Sequence, residues 1–146
     1  MVRIPVRVLV VDDEPDFVEL FASRLQEMGE KVVGVSGGWE CLKALEKEEF
    51  DVVFLDIKMP GMDGLETLKA IKAEYPLVEV ILLTGHGSID TAVEGMKAGA
   101  FDYLLKPADY DELIQKLQAA RNRRLDQLFR IRQAESVALV RKTGDI

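Results

Sequence analysis

A doubly wound α/β domain, with one five-stranded parallel sheet covered by helices on both faces, is the fold this sequence predicts. Three observations carry the prediction. Five short apolar runs of strand type recur about every 20 residues along the chain. Residues at helical spacing fill each interval between them. The runs are nearly unbroken by polar residues, which marks strands buried on both faces, as in a parallel sheet.

The elements follow in order. Val6 to Val11 is apolar except for Arg7 and runs into Asp12, Asp13 and Glu14, with Pro15 suited to a first helical turn. Phe17, Leu20, Phe21, Leu25 and Met28 then recur at helical spacing, and Gly29 supplies a stop. Lys31 to Ser36 reads as the second strand, Gly37-Gly38 as a turn, and Trp39 to Lys47 as a helix with Cys41, Leu42 and Leu45 inward. Val52 to Leu55 is the third strand. It ends in Asp56 and is followed by the turn formers Pro60, Gly61, Asp63 and Gly64. Leu65, Leu68 and Ile71 mark a helix that stops before Pro76, and Val78 to Thr84 is the fourth strand. Ile89, Ala92, Val93 and Met96 make a short helix closed by Gly99. Phe101 to Leu105 is the fifth strand, running into Lys106-Pro107. Asp109 and Glu112 predict a reciprocal N-cap, after which helix-compatible residues continue without Gly or Pro to about Val140.

At 146 residues, about half of them apolar, the chain suffices for one core. The balance of 26 Asp and Glu against 19 Lys and Arg argues against direct nucleic-acid binding, which calls for a basic surface. The short basic run RNRR at 121–124 does not change that reading. A single cysteine, Cys41, excludes an internal disulfide framework and is expected in the core; Trp39 is expected at the surface. No apolar run approaches the ~18 residues of a membrane span, and the N-terminus enters a strand without a signal-peptide pattern. A cytoplasmic protein with no membrane association is expected.

If the strands take the flavodoxin-like order 2-1-3-4-5, the order reverses between strands 1 and 3, so that Asp12, Asp13 and Asp56 meet at one crevice, with Thr84 and Lys106 on the same edge. Three adjacent carboxylates repel unless they protonate or hold a cation. An all-oxygen site with no histidine cluster and no thiolate pair suits Mg²⁺, or Mn²⁺ as the alternative. A carboxylate can also act as a nucleophile and form an aspartyl phosphate. The metal would offset charge between Asp56 and an incoming phosphoryl group, while the Lys106 ammonium and Thr84 hydroxyl bind its oxygens. A lone Asp at a strand end is usually a turn or helix cap; five such groups converging on one edge are not.

These motifs give the chain its likeness to a known family. VVDDEPD, LDIKMPGMDG, the TGHG stretch starting at Thr84 and DYLLKP, in that order and spacing, resemble the response-regulator receiver domains of two-component signalling. The resemblance covers Val6 to about Arg121, so residues 1–121 are expected to form the receiver and 122–146 an extension of the last helix or a linker tail. It implies that Asp56 accepts a phosphoryl group from a histidine of a sensor kinase or phosphotransfer protein. Asp12, Asp13, Asp56 and the backbone carbonyl of Lys58 would surround Mg²⁺. Thr84 and Lys106 would sense the phosphoryl group, and Tyr103 would be the aromatic switch. Lys58 and His86, two residues beyond the acceptor and the threonine, would tune self-dephosphorylation, and Gly85 would leave the phosphoryl group open to approach. Family members often have a cis bond at the Lys-Pro step, here Lys106-Pro107. The likeness is strongest to receivers of transcription regulators, including enhancer-binding activators. It implies no enzyme activity beyond Mg-assisted self-phosphorylation and self-dephosphorylation, and a homodimer through the fourth helix, fifth strand and last helix.

The alternatives are weaker. A flavodoxin-like cofactor protein would cradle a phosphate after its first strand, where this chain has Asp-Asp-Glu. A haloacid-dehalogenase-type phosphatase would want an acid two residues after its nucleophile, where this chain has Lys58. A receiver-like interaction module that is never phosphorylated is the nearer rival. In the tail, Ile114, Leu117, Leu128, Ile131 and Ala138 fit a heptad, but Arg121, Arg124 and Glu135 interrupt its seam. At 1.5 Å rise per residue the helix crosses one domain in roughly 20 Å, by about Arg121, and whatever follows would overhang.

Overall fold

Strands buried on both faces send alternate side chains into two separate helical layers, and this chain supplies apolar residues for both. The computed structural model describes residues 4–59, 61–85, 89–107 and 109–143. Strands β1 (Arg7–Val11), β2 (Lys31–Val35), β3 (Val52–Asp56), β4 (Glu79–Thr84) and β5 (Asp102–Leu105) alternate with five helices. These are α1 (Pro15–Glu27), α2 (Gly38–Lys47), α3 (Gly64–Glu74), α4 (Ile89–Lys97) and α5 (Tyr110–Thr143). Every strand pair is parallel and the order is β2-β1-β3-β4-β5, the predicted doubly wound sheet.

On one face, Leu9, Val11, Val53, Leu55, Val80 and Leu82 pack with Cys41 and Leu45 of α2, Leu68 and Ile71 of α3, and Ala92 of α4. On the other, Val8, Val10, Val52, Phe54, Ile81 and Leu83 pack with Phe21 and Leu25 of α1 and Leu113 and Leu117 of α5. The Phe21 ring meets Phe54 edge-on at 4.9 Å between centroids. Cys41 is fully buried, and burial pushes its thiol up to about 12, as befits an inert core residue. Trp39 lies exposed. Gly29 takes φ of 91°, a conformation that suits glycine after the end of α1.

Four details depart from the sequence expectations. Gly38 opens α2 instead of forming a turn with Gly37; it is buried, and a Cβ there would strike the Thr67 hydroxyl and come within 3.1 Å of Met62. Asp109 accepts a hydrogen bond from the Asp111 amide at 3.2 Å, but Glu112 pairs with Lys116 at 2.9 Å, so the cap is one-sided. Of the α4 stripe only Ala92 is buried, while Ile89, Val93 and Met96 lie exposed. The tail heptad is divided: Leu117 closes the core, whereas Ile131 and Ala138 lie in solvent.

The basic run has a structural role that its composition did not reveal. Arg124 is buried and its Nε donates to Asp51 Oδ1 at 3.0 Å, while the Arg7 amide donates to Asp51 Oδ2 at 2.9 Å. Arg123 approaches Glu79 at 3.8 Å. Burial opposes ionisation of Asp51, but these donors outweigh it and hold its pKa below the ordinary value. α5 is thereby anchored under the amino-terminal edge of the sheet. Its residues 129–142 project beyond, all exposed.

Candidate functional site

Because all strands run the same way, their carboxyl ends line one edge, and the chain places a polar residue at four of them. Asp12 directly follows β1 and donates its amide to Val35 O at 3.2 Å. Asp56 and Thr84 are the last residues of β3 and β4, and Lys106, just after β5, donates its amide to Thr84 O at 2.7 Å. The loop after Asp56 is held close by Gly64. A Cβ there would collide with the Asp56 carbonyl oxygen and lie 2.6 Å from Ile57 Cα. The Gly64 amide donates to Ile57 O at 3.0 Å, and Asp63 caps α3 by accepting from the Glu66 amide at 2.8 Å.

Asp12, Asp13 and Asp56 come together as expected, each offering a carboxylate oxygen within 4.8 Å of the others. Asp12 and Asp56 are buried and Asp13 is exposed, so the cluster is open on one side. Asp56 Oδ1 accepts the Lys58 amide at 3.1 Å. Burial, and then the Asp12 charge, push the Asp56 pKa up to about 6, with Asp13 adding to the rise and Lys106 and the Lys58 amide opposing it. Lys106 Nζ forms an ion pair with Asp12 Oδ2 and stands 3.7 Å from Asp56 Oδ2 and 3.5 Å from Glu14 Oε1. Burial alone would lower the Lys106 pKa, but these three carboxylates outweigh it and raise it.

The cluster fits a divalent cation. Asp12 Oδ2 is buried and held by the Lys106 ammonium, which occupies the place a cation would take among the carboxylates. The three carboxylates are hard oxygen ligands with excess negative charge, a donor set suited to Mg²⁺. The acidic pocket is thus compatible with divalent metal binding.

The remaining sequence candidates are distributed around this centre. Thr84 is buried, 2 % exposed, at the end of β4. The Lys58 side chain is exposed, and its backbone amide makes the contact with Asp56. Tyr103 on β5 is 41 % exposed, with Lys116 Nζ 4.9 Å from its ring centroid and bonded to its carbonyl oxygen. Lys106-Pro107 is cis. His86 lies outside the described residues.

Two neighbours of the site had no role assigned from sequence. Glu14 reaches Lys106, and the Phe17 ring lies 4.4 Å below its ammonium. The usable signal was Pro15: a helix beginning there sets Glu14 at its cap and Phe17 in its first turn, both beside the carboxyl end of β1.

A family model described as the response regulator receiver domain matches residues 8–118 of this chain. The chain is similar to the transcriptional regulatory protein ZraR of Klebsiella oxytoca, 42% identical over 115 residues, covering 79% of this chain and 26% of that protein. It is similarly related to a putative response regulator, NtrX-like, of Rickettsia bellii, 42% identical over 115 residues and covering 77% and 24%. Among solved structures, the receiver domain of NtrX from Brucella abortus superposes with a TM-score of 0.76 at 37% identity, covering 79% of this chain and 98% of that one. The chain spans about a quarter of the length of the curated relatives it matches.

Proposed function

The chain belongs to the response-regulator receiver family, and from that premise we propose that it is a phosphorylation-controlled switch whose acceptor is Asp56. The single observation that carries the proposal is the convergence of Asp12, Asp13 and Asp56 beside Lys106 at the carboxyl edge of the sheet. An Asp56 carboxylate oxygen attacks the phosphorus of a phosphohistidine on a sensor kinase or phosphotransfer protein. The O–P bond forms, the P–N bond breaks, and the departing imidazole takes a proton. Mg²⁺, held by Asp12, Asp13, Asp56 and the Lys58 carbonyl, supplies the positive charge that offsets repulsion between the carboxylate and the phosphoryl oxygens.

Lys106 leaves its ion pair with Asp12 to bind a phosphoryl oxygen, and the Thr84 hydroxyl donates to another. Lys58 and His86 flank the path of the water that hydrolyses the acyl phosphate and so set its lifetime. Tyr103 follows Thr84 inward, and a cavity of about 190 Å³ lined by both residues supports this role by leaving the ring room to move. The readout is the face made by Ile89, Val93, Met96, Tyr103 and Leu105, an exposed apolar surface beside Thr84. Phosphorylation changes which partner that face accepts, including a second copy through α4, β5 and α5. Residues 1–121 act as the receiver and 122–146 as the extension that transmits its state. The relatives' names as transcriptional regulators support control of transcription as the process served.

Intact mass after incubation with Mg²⁺ and acetyl phosphate tests this reading. The expected result is one added phosphoryl mass in the wild-type chain, and none in Asp56→Asn or with EDTA. A wild-type chain that gains no mass while binding Mg²⁺ would leave a receiver-like interaction module that is not phosphorylated.

A further inference from the structure

Lys116 belongs to α5, yet its ammonium meets a ring that faces α4. Side chains alternate along β5. Leu104 packs with Leu113 and Leu117 of α5, so Tyr103 faces the other way and lines a cavity with Ala92, Val93 and Met96 of α4. β5 ends the sheet, with no strand beyond it. Lys116 reaches round this open edge, and its Nζ stands 4.9 Å from the centroid of the Tyr103 ring.

The ammonium is pinned independently of that ring. It donates to the Tyr103 carbonyl oxygen and forms ion pairs with Glu112 Oε1 at 2.9 Å and Asp102 Oδ1 at 3.5 Å. Three N–H groups thus face three oxygens. Asp102 Oδ1 also accepts the Tyr103 amide at 2.8 Å, so both backbone groups of Tyr103 are held by side chains. None of these bonds depends on where the ring points. The ring contact does: a turn into the cavity, toward Thr84 and Ala92, carries the ring away from Nζ while the three oxygens stay. The cation–π attraction is therefore made in the outward position only.

We propose that Lys116 is a positioning residue that latches Tyr103 outward. The inference rests on the reading of Tyr103 as the ring that moves. At a partly exposed site such a contact biases the two positions by about two- to fivefold. The latch lowers the resting population of the inward ring, and by linkage it weakens binding of a phosphoryl group at Asp56 by the same factor.

Fluorine NMR of the full chain labelled with 3-fluorotyrosine tests the latch with no phosphoryl group present. The chain has three tyrosines, and Tyr103→Phe identifies the resonance. A neutral gadolinium chelate in the solvent broadens an exposed ring more than a sheltered one. Lys116→Gln can still donate to the Tyr103 carbonyl but carries no charge, so its inward fraction should rise about two- to fivefold and the broadening should fall. Lys116→Arg, which keeps the cation, should behave as the wild type. Titration with Mg²⁺ and beryllium trifluoride, a stand-in for the phosphoryl group, should show tighter binding by the same factor in Lys116→Gln. Adding Lys116→Gln to Tyr103→Leu should change nothing. Unchanged broadening in Lys116→Gln, or a gain in affinity that persists without the Tyr103 ring, would overturn the latch. A ring that responds to Lys116→Gln but not to beryllium trifluoride would uphold the latch and overturn the switch reading instead.

Discussion

A carboxylate with a pKa near 6 has a measurable cost and a measurable use. Asp56 is raised from 3.8 to about 6, so between those values the folded chain holds the proton more tightly than the unfolded chain. Stability from protonated Asp56 is therefore complete below pH 4 and is lost as pH rises through 6. In EDTA, Asp56→Asn should be more stable than the wild type at pH 7 by about 1–3 kcal/mol in urea unfolding, with the gap closing below pH 4. An Asn variant no more stable at pH 7 would show that Asp56 carries no such burden. Lys106 makes the complementary prediction. Its ammonium sits on Asp12 Oδ2, where a cation would bind, so Lys106→Met should tighten Mg²⁺ binding by about tenfold in calorimetric titration. An unchanged or weaker affinity would mean that the ammonium does not compete. Asp12, Asp13, Asp56, Thr84 and Lys106 were legible in the sequence because each stands at or next to the end of an apolar run. The Glu14 and Phe17 cradle around Lys106 was not, since it joins the first helix to a residue after the last strand, Glu14 lying 92 positions from Lys106, and the contact depends on side-chain direction.

Elements carry the site by how closely they approach it. Gly64 lets the start of α3 lie against the Asp56 carbonyl, so Gly64→Ala should destabilise the chain by about 1–3 kcal/mol and slow labelling by acetyl phosphate. Normal stability with normal labelling would show that the loop gives way freely. α5 depends on its anchor in the same way. Arg124→Ala strips one of the two arginines from half-buried Asp51 and should cost about 1–3 kcal/mol, with faster amide exchange from residue 121 onward. Exchange unchanged in α5 would assign its rigidity to Leu113 and Leu117 alone. The helices themselves were readable from apolar spacing. Which apolar residues face inward was not: Ile89, Val93 and Met96 have the spacing of a core stripe, yet α4 buries only its Ala92 and Gly95 side. Gly38 likewise reads as a turn former, because the packing that requires it comes from Thr67 and Met62 on and before another helix.

For the whole molecule, alternation of strand and helix left little freedom. Parallel strands joined by right-handed crossovers make a doubly wound sheet, and a sheet with one reversal of order gathers its strand ends at one crevice. The sequence by itself therefore determined the fold class and that the acids end their strands on one edge, since these follow from local periodicity and chain connectivity, while the order β2-β1-β3-β4-β5 was an assumption that the structure bears out. Only the tertiary structure decided what the charges do. It turned a basic run at 121–124 into an anchor on Asp51 and Glu79, set Lys106 between Asp12, Glu14 and Asp56, and left an apolar face on α4 and a bare arm beyond Leu128. The physical reason is that apolar burial follows a period set by the backbone, which one stretch of chain can display. Pairing of charges depends on distances between segments remote in sequence, which no single stretch contains.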